Sequence, residues 1–275
     1  MKIALGVLLS HGFPVPAEFM DSYEAVMVQV QSGAANAGVS EGEAITAIRR
    51  IKSTAFPPDV ARNGIVRSFL DDGDDDYLLF LDADMTFPAD VVRKLVRHAA
   101  PVVTGRYHMR KLPYHAVAYV KHRTQAGEHC YAPVHFGRGL VEIERGGAGC
   151  LLIRRDVAEA IRGRIGDNWF RYQRGPEPPH DFTVSEDFWF YRQAREAGFR
   201  CYLDWDCECE HLQLMGINRS WNEAYLDAQV RELPTLTPDK RQAVVDSFVV
   251  CGYPDGLTLA TGDHIAPYTV TAGER

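Results

Sequence analysis

The 275-residue sequence predicts an α/β fold, with helices on both faces of a mostly parallel central sheet. Three observations predict it. Strand-like and helix-like apolar patterns alternate through the first two hundred residues, which is typical of sheets built from strand–helix units. The run Tyr77–Leu81 is continuously apolar, as expected for a strand buried on both faces. The length and the 46% hydrophobic content are sufficient for one large core.

The first half of the chain supplies five of these elements in order. Met1–Leu9 predicts a buried first strand, because its apolar part is too short for a signal peptide and no small-residue cleavage site follows. Ala17–Gln31 has apolar residues at helical spacing, and Ala44–Ile51 predicts the second strand. Asp59 predicts the N-cap of a helix that continues through Leu70. Tyr77–Leu81 is the third strand.

The next elements continue the alternation. Pro88 predicts the start of a helix to about His98, and Pro101–Gly105 predicts a strand. A further strand is predicted at Cys150–Ile153, with Asp156 capping the helix after it. These segments complete the α/β sandwich that the first half begins.

A long loop is predicted between Gly166 and Val184, because this segment is rich in Pro and Gly and has no period. Loops of this length in compact domains are typically lids or binding loops. Its aromatic residues Trp169, Phe170 and Tyr172 fit two interpretations equally: stacking on a bound sugar or base, or a small core of the loop itself.

The C-terminal part forms a separate unit in this interpretation. Residues 1–215 form the α/β domain, and residues 216–275 form a helical extension with helices at Ser220–Leu233 and Pro238–Val250 and a polar tail. The extension is interpreted as a cover over the acceptor side or as an oligomerisation arm, which leaves a homo-oligomer open.

Charge and cysteine content exclude several classes of function. The net charge of −7 weighs against a broad nucleic-acid footprint, and no segment is long enough to span a bilayer. Cys207 and Cys209 lie in a segment, Phe199–His211, that alternates like a half-exposed strand. Both cysteines therefore face the apolar side as small hydrophobic residues, and a zinc site is disfavoured because no second Cys/His pair follows. A cytoplasmic location is expected.

Asp82 and Asp84 directly follow the buried strand Tyr77–Leu81. Ligands of open α/β sheets collect beyond the carboxyl ends of the strands, and two unopposed carboxylates there would repel each other. A divalent cation of the Mg²⁺ or Mn²⁺ type that carries a phosphate ligand would relieve this repulsion. The commoner meaning of Asp-x-Asp by itself is a solvated turn.

A second acidic pair, Glu186 and Asp187, lies in the first turn of the helix that ends at Gly198. Carboxylates there act commonly as caps, and the spacing from Thr183 to Glu186 fits a capping box. The same position suits a carboxylate that accepts a proton from an attacking hydroxyl. His211, at the end of the alternating strand, is either a structural histidine or a further metal ligand.

In this order and spacing, Leu-Phe-Leu-Asp-Ala-Asp (79–84), the glycine-rich run 146–149, Ser-Glu-Asp-Phe (185–188) and the later His211 resemble the metal-dependent GT-A glycosyltransferases. The similarity is to family-2-like enzymes of bacteria and phages, and it covers residues 1 to about 215. It implies a GT-A (Rossmann-like nucleotide-diphospho-sugar transferase) α/β/α sandwich with a mostly parallel sheet.

The resemblance also implies roles for individual residues. Asp84 would be the main metal ligand, Asp82 would contact the ribose or the metal, and His211 would be a further ligand, although the chain has His211-Leu212-Gln213 where family members often carry His-x-Gly. Glu186 and Asp187 would form the catalytic pair, with Asp187 as the base. The implied donor-binding residues are Arg62 and Asn63 near the nucleotide and Gly147–Gly149 along the sugar.

Four basic residues follow the next strand: Arg106, His108, Arg110 and Lys111. They are expected to add positive charge near the diphosphate, or else to form a solvated basic loop. The resemblance implies transfer of a sugar from a nucleotide-diphosphate sugar, preferably a UDP-sugar with GDP as the alternative, to an acceptor hydroxyl, with Mn²⁺ or Mg²⁺ as cofactor. Inversion is expected if Asp187 is the base, but retaining enzymes share this fold and metal site. The acceptor is left open between a saccharide, a lipid-linked sugar, a protein, a metabolite and a modified DNA base.

Two alternative functions, a nucleotidyltransferase and a non-catalytic binding protein, are disfavoured by the sequence. A nucleotidyltransferase is disfavoured because no Lys or Arg follows the first strand before Arg49. A non-catalytic nucleotide-sugar-binding scaffold is disfavoured because such a protein is expected to have lost one of the two acidic pairs, and this chain has both.

Overall fold

The structure is a computed structural model that describes residues 1–9, 14–33, 44–123, 129–173, 184–212, 231–246, 248, 254–258 and 262–267. Its centre is a seven-stranded sheet. The strands of the described residues are β1 (Lys2–Leu8), β2 (Ala47–Ser53), β3 (Tyr77–Asp82), β4 (Met85–Thr86), β5 (Val102–Arg106), β6 (Ala118–Arg123), β7 (His129–Pro133), β8 (Leu140–Ile143), β9 (Arg145–Gly146), β10 (Cys150–Arg154), β11 (Cys201–Glu208), β12 (Glu210–His211), β13 (Leu257–Thr258) and β14 (His264–Ile265).

The order of strands in the central sheet is β2-β1-β3-β10-β5-β11-β8. Strands β2, β1 and β3 pair in parallel, and β5 pairs in parallel with β11. Strand β10 runs antiparallel to both β3 and β5, and β8 runs antiparallel to β11. The sheet is therefore mostly parallel, and the carboxyl ends of β1, β3, β5 and β11 lie at one edge.

Helices cover both faces of the sheet. They are α1 (Ala17–Gln31), α2 (Pro58–Asp71), α3 (Val91–Val96), α4 (Arg155–Ile165), α5 (Glu186–Glu196) and α6 (Pro238–Asp246) in the described residues. The alternation of β3 divides the core in two: Leu78 and Phe80 pack with α2, α4 and α5, whereas Leu79 and Leu81 pack with α1 and α3. The α/β sandwich predicted from the sequence is confirmed.

Two small sheets shape the edge at which the parallel strands end. Strands β7, β6 and β9 form an antiparallel sheet beside the glycine-rich segment. Strand β12 pairs with β4, so that His211 lies opposite Met85, and the Leu212 N–H donates to the Asp84 carbonyl at 2.8 Å. The second pairing brings the end of the alternating strand next to Asp84.

Several predicted boundaries differ from the structure. The second strand begins at Ala47 and ends at Ser53, because Ile45 and Thr46 precede the pairing with β1. The helix predicted from Pro88 begins only at Val91. The N-caps are also corrected: α2 begins at Pro58, whose missing N–H suits the first turn, and α4 begins at Arg155. Asp59 and Asp156 lie in the first turns of these helices rather than at the caps.

The aromatic residues of the long loop have different environments. Trp169 and Phe170 are fully buried, and the Trp169 indole N–H donates to the Ala158 carbonyl at 2.8 Å. Phe170 stacks on Phe190 of α5. Both residues are therefore part of the core, whereas Tyr172 is 39% exposed. Residues 174–183 of the predicted loop lie outside the described residues.

The C-terminal segment packs as a small third cluster around Leu233, Phe248 and Ile265. The helix predicted at Pro238–Val250 is observed as α6, and most of the helix predicted at Ser220–Leu233 lies outside the described residues. The domain boundary at residue 215 lies outside them too and stays a prediction. Among the helices that are described, none has both the length and the apolar character needed to cross a membrane.

Arg155 connects the start of α4 to the turn before β3. Its guanidinium lies 4.6 Å from the Phe69 ring centroid. It also donates to four backbone carbonyls, those of Phe69, Leu70, Gly73 and Asp75, at 2.6 to 3.4 Å. Because these carbonyls end α2 and form the following turn, Arg155 satisfies acceptors that no helical N–H reaches.

We expect Arg155→Met to lower the free energy of unfolding by about 2–3 kcal/mol, because it removes charged donors from several partly buried carbonyls. The matched control is Arg154→Met, since Arg154 forms an exposed ion pair with Asp156 and should contribute less than about 1 kcal/mol. Denaturant unfolding measures both variants. Equal destabilisation by the two changes would contradict this account of the turn.

Candidate functional site

A pocket of about 610 Å³ opens at the edge where the parallel strands end. This is the edge at which ligands bind in open α/β sheets. The pocket is lined by Leu8, Pro58, Arg62, Asp82, Ala83, Asp84, Met85, Tyr107, Met109, Arg110, Lys111, Val117, Tyr119, Gly149, Ser185, Glu186, Asp187, Phe188 and His211. The structure therefore brings both acidic pairs and His211, which are far apart in sequence, to one cavity.

Arg62 and Asp82 form a two-pronged ion pair at the base of the pocket. One terminal nitrogen of Arg62 donates to Asp82 Oδ1 at 3.1 Å, and the other donates to Oδ2 at 2.8 Å. Arg62 is only 3% exposed, and it also donates to the Ala148 carbonyl at 3.3 Å. Burial raises the pKa of Asp82, and this effect exceeds the opposing effect of Arg62.

The same guanidinium faces the second acidic pair. Its Nε lies 3.8 Å from Glu186 Oε1 and 3.8 Å from Asp187 Oδ1. Burial and then the neighbouring Glu186 raise the pKa of Asp187 well above its ordinary value. Burial lowers the pKa of Arg62, but the carboxylates of Asp82, Asp187 and Glu186 more than offset this effect. Arg62 is thus the positive group that all three carboxylates share.

The first turn of α5 positions Glu186 and Asp187. The N-cap is Ser185, whose hydroxyl accepts from the Phe188 N–H at 3.3 Å. The capping box predicted from Thr183 involves a residue outside the described ones. Because the free N–H groups of a first turn favour negative charge, the helix end also stabilises the two carboxylates.

Asp84 also lines the pocket and contacts two basic groups. Its Oδ2 pairs with the Arg110 guanidinium and lies 3.8 Å from His211 Nε2. Burial raises the pKa of Asp84, but its contacts with His211 and with the positive charge of Arg110 more than offset this effect and lower the pKa to about 2. Asp84 is therefore ionised at neutral pH.

The orientation of His211 suits a metal ligand. Its Nδ1 lies 3.0 Å from the His108 carbonyl oxygen, so that Nδ1 is the donor and Nε2 is the ring nitrogen that faces Asp84. Such a backbone acceptor for the second nitrogen is typical of metal-binding histidines. Among the residues that the structure describes, no three His, Cys, Asp or Glu side chains surround a cation by themselves. Asp84 and His211 are two adjacent side chains that could supply part of the coordination of a cation here.

The glycine-rich segment approaches Tyr107 closely. The Gly149 N–H donates to the Tyr107 hydroxyl at 3.2 Å, and its carbonyl accepts from the Asp82 N–H at 2.9 Å. A Cβ at Gly147 would overlap the Tyr107 hydroxyl, and a Cβ at Gly149 would overlap Met85. Gly149 lines the pocket, whereas Gly147 lies behind Tyr107.

Besides Gly147, two other predicted donor-binding residues do not line the pocket. Arg106 is 2% exposed, pairs with Glu208 at 2.9 Å and lies 4.8 Å from the Trp205 ring centroid. Asn63 forms two hydrogen bonds with the backbone of Phe170, at 2.8 and 2.9 Å. Both side chains thus connect elements of the domain instead of lining the cavity.

An apolar wall that sequence reasoning missed borders Asp187. It consists of Met109, Val117, Tyr119 and Phe188. The Tyr119 and Phe188 rings meet edge to face at 5.3 Å, and the Tyr119 hydroxyl lies 3.8 Å from the Met109 sulfur. The sequence carries no motif for this wall, because it combines the β5–β6 hairpin, β6 and the start of α5.

No protein-family model matches the sequence, and no curated protein matches it by sequence. Solved structures are similar at low identity. The protein A197 from STIV has a TM-score of 0.46 at 17% identity, over 78% of this chain and 86% of that one. A UDP-glucose pyrophosphorylase complexed with UDP-glucose has a TM-score of 0.40 at 8% identity, over 86% and 100%. The catalytic domain of Drosophila β1,4-galactosyltransferase 7 in complex with xylobiose has 0.36 at 15% identity, over 74% and 65%. All three TM-scores are below 0.5, so these similarities support no conclusion about the function of this chain.

We expect Arg62→Met to lower the free energy of unfolding by about 3 kcal/mol or more, because it leaves three close carboxylates without a buried counter-charge. Arg67→Met is the control on the same helix, since Arg67 is half-exposed and pairs with Asp167 at the surface. Thermal and denaturant unfolding measure both. If Arg62→Met were as stable as Arg67→Met, Arg62 would not be the charge-balancing residue described above.

Proposed function

We propose that this chain is a metal-dependent glycosyltransferase that moves a sugar from a nucleotide-diphosphate sugar to an acceptor hydroxyl. The observation that carries the proposal is that a single pocket is lined by Asp84 and His211 together with Glu186 and Asp187. The first pair suits a cation bound to a diphosphate, and the second supplies a carboxylate that can accept a proton. One cavity therefore contains the parts needed at both ends of the transferred sugar.

Asp84 and His211 are the residues that would hold Mn²⁺ or Mg²⁺. When bound, such a cation neutralises the charge that develops on the leaving nucleoside diphosphate. Asp84 is ionised, and His211 Nε2 lies 3.8 Å from Asp84 Oδ2. A carboxylate oxygen and an imidazole nitrogen thus lie next to each other, and both are atom types that bind these cations.

Arg62 and Asp82 have a positioning role in this proposal. Both terminal nitrogens of the Arg62 guanidinium donate to Asp82, and the Nε of Arg62 faces the second acidic pair. Asp82 is thereby held in a fixed orientation beside Leu8 and Pro58, the part of the pocket where the nucleoside would lie. UDP is the preferred nucleotide through the resemblance to GT-A enzymes.

Asp187 is the proposed catalytic base. Burial and Glu186 raise its pKa, so that its carboxylate binds a proton more readily than an exposed aspartate. It would take the proton of the acceptor hydroxyl while that oxygen attacks the anomeric carbon on the face opposite the diphosphate. This geometry inverts the anomeric configuration.

The apolar wall is the proposed acceptor side of the pocket. Phe188 follows Asp187 directly, and Tyr119 packs against it. A ring of the acceptor would pack its flat C–H face on these aromatic side chains and present a hydroxyl to Asp187. A carbohydrate ring offers both the face and the hydroxyl, which favours a saccharide among the acceptors considered from the sequence.

We expect Asp84→Ala to remove metal-dependent binding of UDP, with a loss of affinity of about 100-fold or more, because it deletes the main carboxylate ligand. Calorimetric titration of UDP, GDP, CDP and ADP, each with and without Mn²⁺, measures this. Asp206→Ala is the control, since Asp206 is an exposed aspartate on β11 outside the pocket. Binding of no nucleotide by wild type in Mn²⁺ would overturn the proposed function.

Asp187→Asn should retain UDP binding within about twofold of wild type and lower the turnover number by about 10²–10⁴-fold, because the amide cannot accept the proton. Transfer and slow hydrolysis of radiolabelled UDP-sugars measure turnover, and calorimetry measures binding. An equal loss of UDP binding in Asp187→Asn and Asp84→Ala would contradict the division of roles between the two carboxylates.

A further inference from the structure

The β5–β6 connection forms a hairpin that presents basic residues to the pocket. Its two arms are joined by hydrogen bonds from the Met109 N–H to the His115 carbonyl at 3.0 Å and from the Val117 N–H to the Tyr107 carbonyl at 2.9 Å. The turn is closed by the Tyr114 N–H and the Lys111 carbonyl at 2.9 Å. The side chains of Arg110 and Lys111 therefore extend from a turn whose backbone is held by hydrogen bonds.

Arg110 and His211 share a single oxygen of Asp84. The guanidinium of Arg110 and the Nε2 of His211 both approach Oδ2. The other basic candidate, Arg106, is buried between Glu208 and Trp205 and lies outside the pocket. Arg110 is one-third exposed, lines the pocket and is in contact with the carboxylate proposed to bind the cation.

We propose that Arg110 is the residue that binds the diphosphate of the donor, and that Asp84 holds this side chain while no cation is bound. The inference rests on the proposed function. A planar guanidinium matches two phosphate oxygens at once, which a lysine ammonium does not. A cation at Asp84 Oδ2 releases Arg110, and the freed side chain is then beside the diphosphate that the same cation carries.

The shared oxygen makes the two binding events interdependent. A cation that binds without a nucleotide must displace Arg110 from Asp84 and leaves the guanidinium without an anionic partner. When a cation binds together with a nucleoside diphosphate, the phosphates take the place of Asp84 as the anionic partner of Arg110. The affinity for each ligand is therefore higher when the other is present, and the coupling must be reciprocal.

Arg110→Gln separates these effects because they have opposite signs. Without nucleotide, Mn²⁺ should bind the variant about fivefold or more tightly than wild type, since no guanidinium competes for Asp84. At saturating Mn²⁺, UDP should bind the variant about tenfold or more weakly, since a charged donor to the diphosphate is lost. Electron paramagnetic resonance of free Mn²⁺ measures the first affinity, and calorimetry with UDP measures the second.

Lys111→Gln is the control, because it removes the same charge from the adjacent position of the hairpin. Its affinity for Mn²⁺ without nucleotide should equal that of wild type. Unchanged Mn²⁺ affinity in Arg110→Gln, or the same tightening in Lys111→Gln, would overturn the exchange at Asp84. Tighter Mn²⁺ binding without weaker UDP binding would overturn the diphosphate role. If neither wild type nor Arg110→Gln bound Mn²⁺ or UDP, the proposed function itself would fail.

Discussion

The whole site depends on one buried cation, the guanidinium of Arg62. Three carboxylates surround it: Asp82 at the end of β3, and Glu186 and Asp187 at the start of α5. Without a central positive charge, burial and mutual repulsion would force protons onto these groups or separate α5 from the sheet. Arg62 comes from α2, so a single side chain fixes the relative positions of two helices and the central strand.

The pocket divides its charges between two separate centres. Around Arg62 the carboxylates are enclosed and Asp187 has a raised pKa, whereas Asp84 is more exposed and has a lowered pKa. The proposed function asks one carboxylate to gain a proton and the other to bind a cation, and these two tasks need opposite environments. The α/β architecture supplies both, because the first lies at a helix N-terminus against the core and the second lies at the solvent side of the strand end.

The sequence was sufficient to predict the sandwich, because the strand runs and helix periods are strong, and to place the acidic residues at one edge. The partners of individual side chains were not predictable. Arg106 ends β5, but its register opposite Glu208 and beside Trp205 of β11 is a tertiary fact that no local pattern encodes. Similarly, Asn63 contacts the backbone of Phe170, and Trp169 is buried although its segment has a loop-like composition. Cys207 and Cys209 are buried in the apolar core, as the alternation of their strand predicts.

The pairing of β12 with β4 has a consequence for how the protein matures. Asp84 and His211 are brought together by a two-residue ladder and one hydrogen bond from the Leu212 N–H, although strands β5 to β11 and helices α3 to α5 of the α/β domain lie between them in the chain. Contacts of such long range form only after the intervening chain has been ordered. A nascent or partly unfolded chain consequently does not have Asp84 and His211 side by side, and under the proposed function it would be inactive until folding is complete.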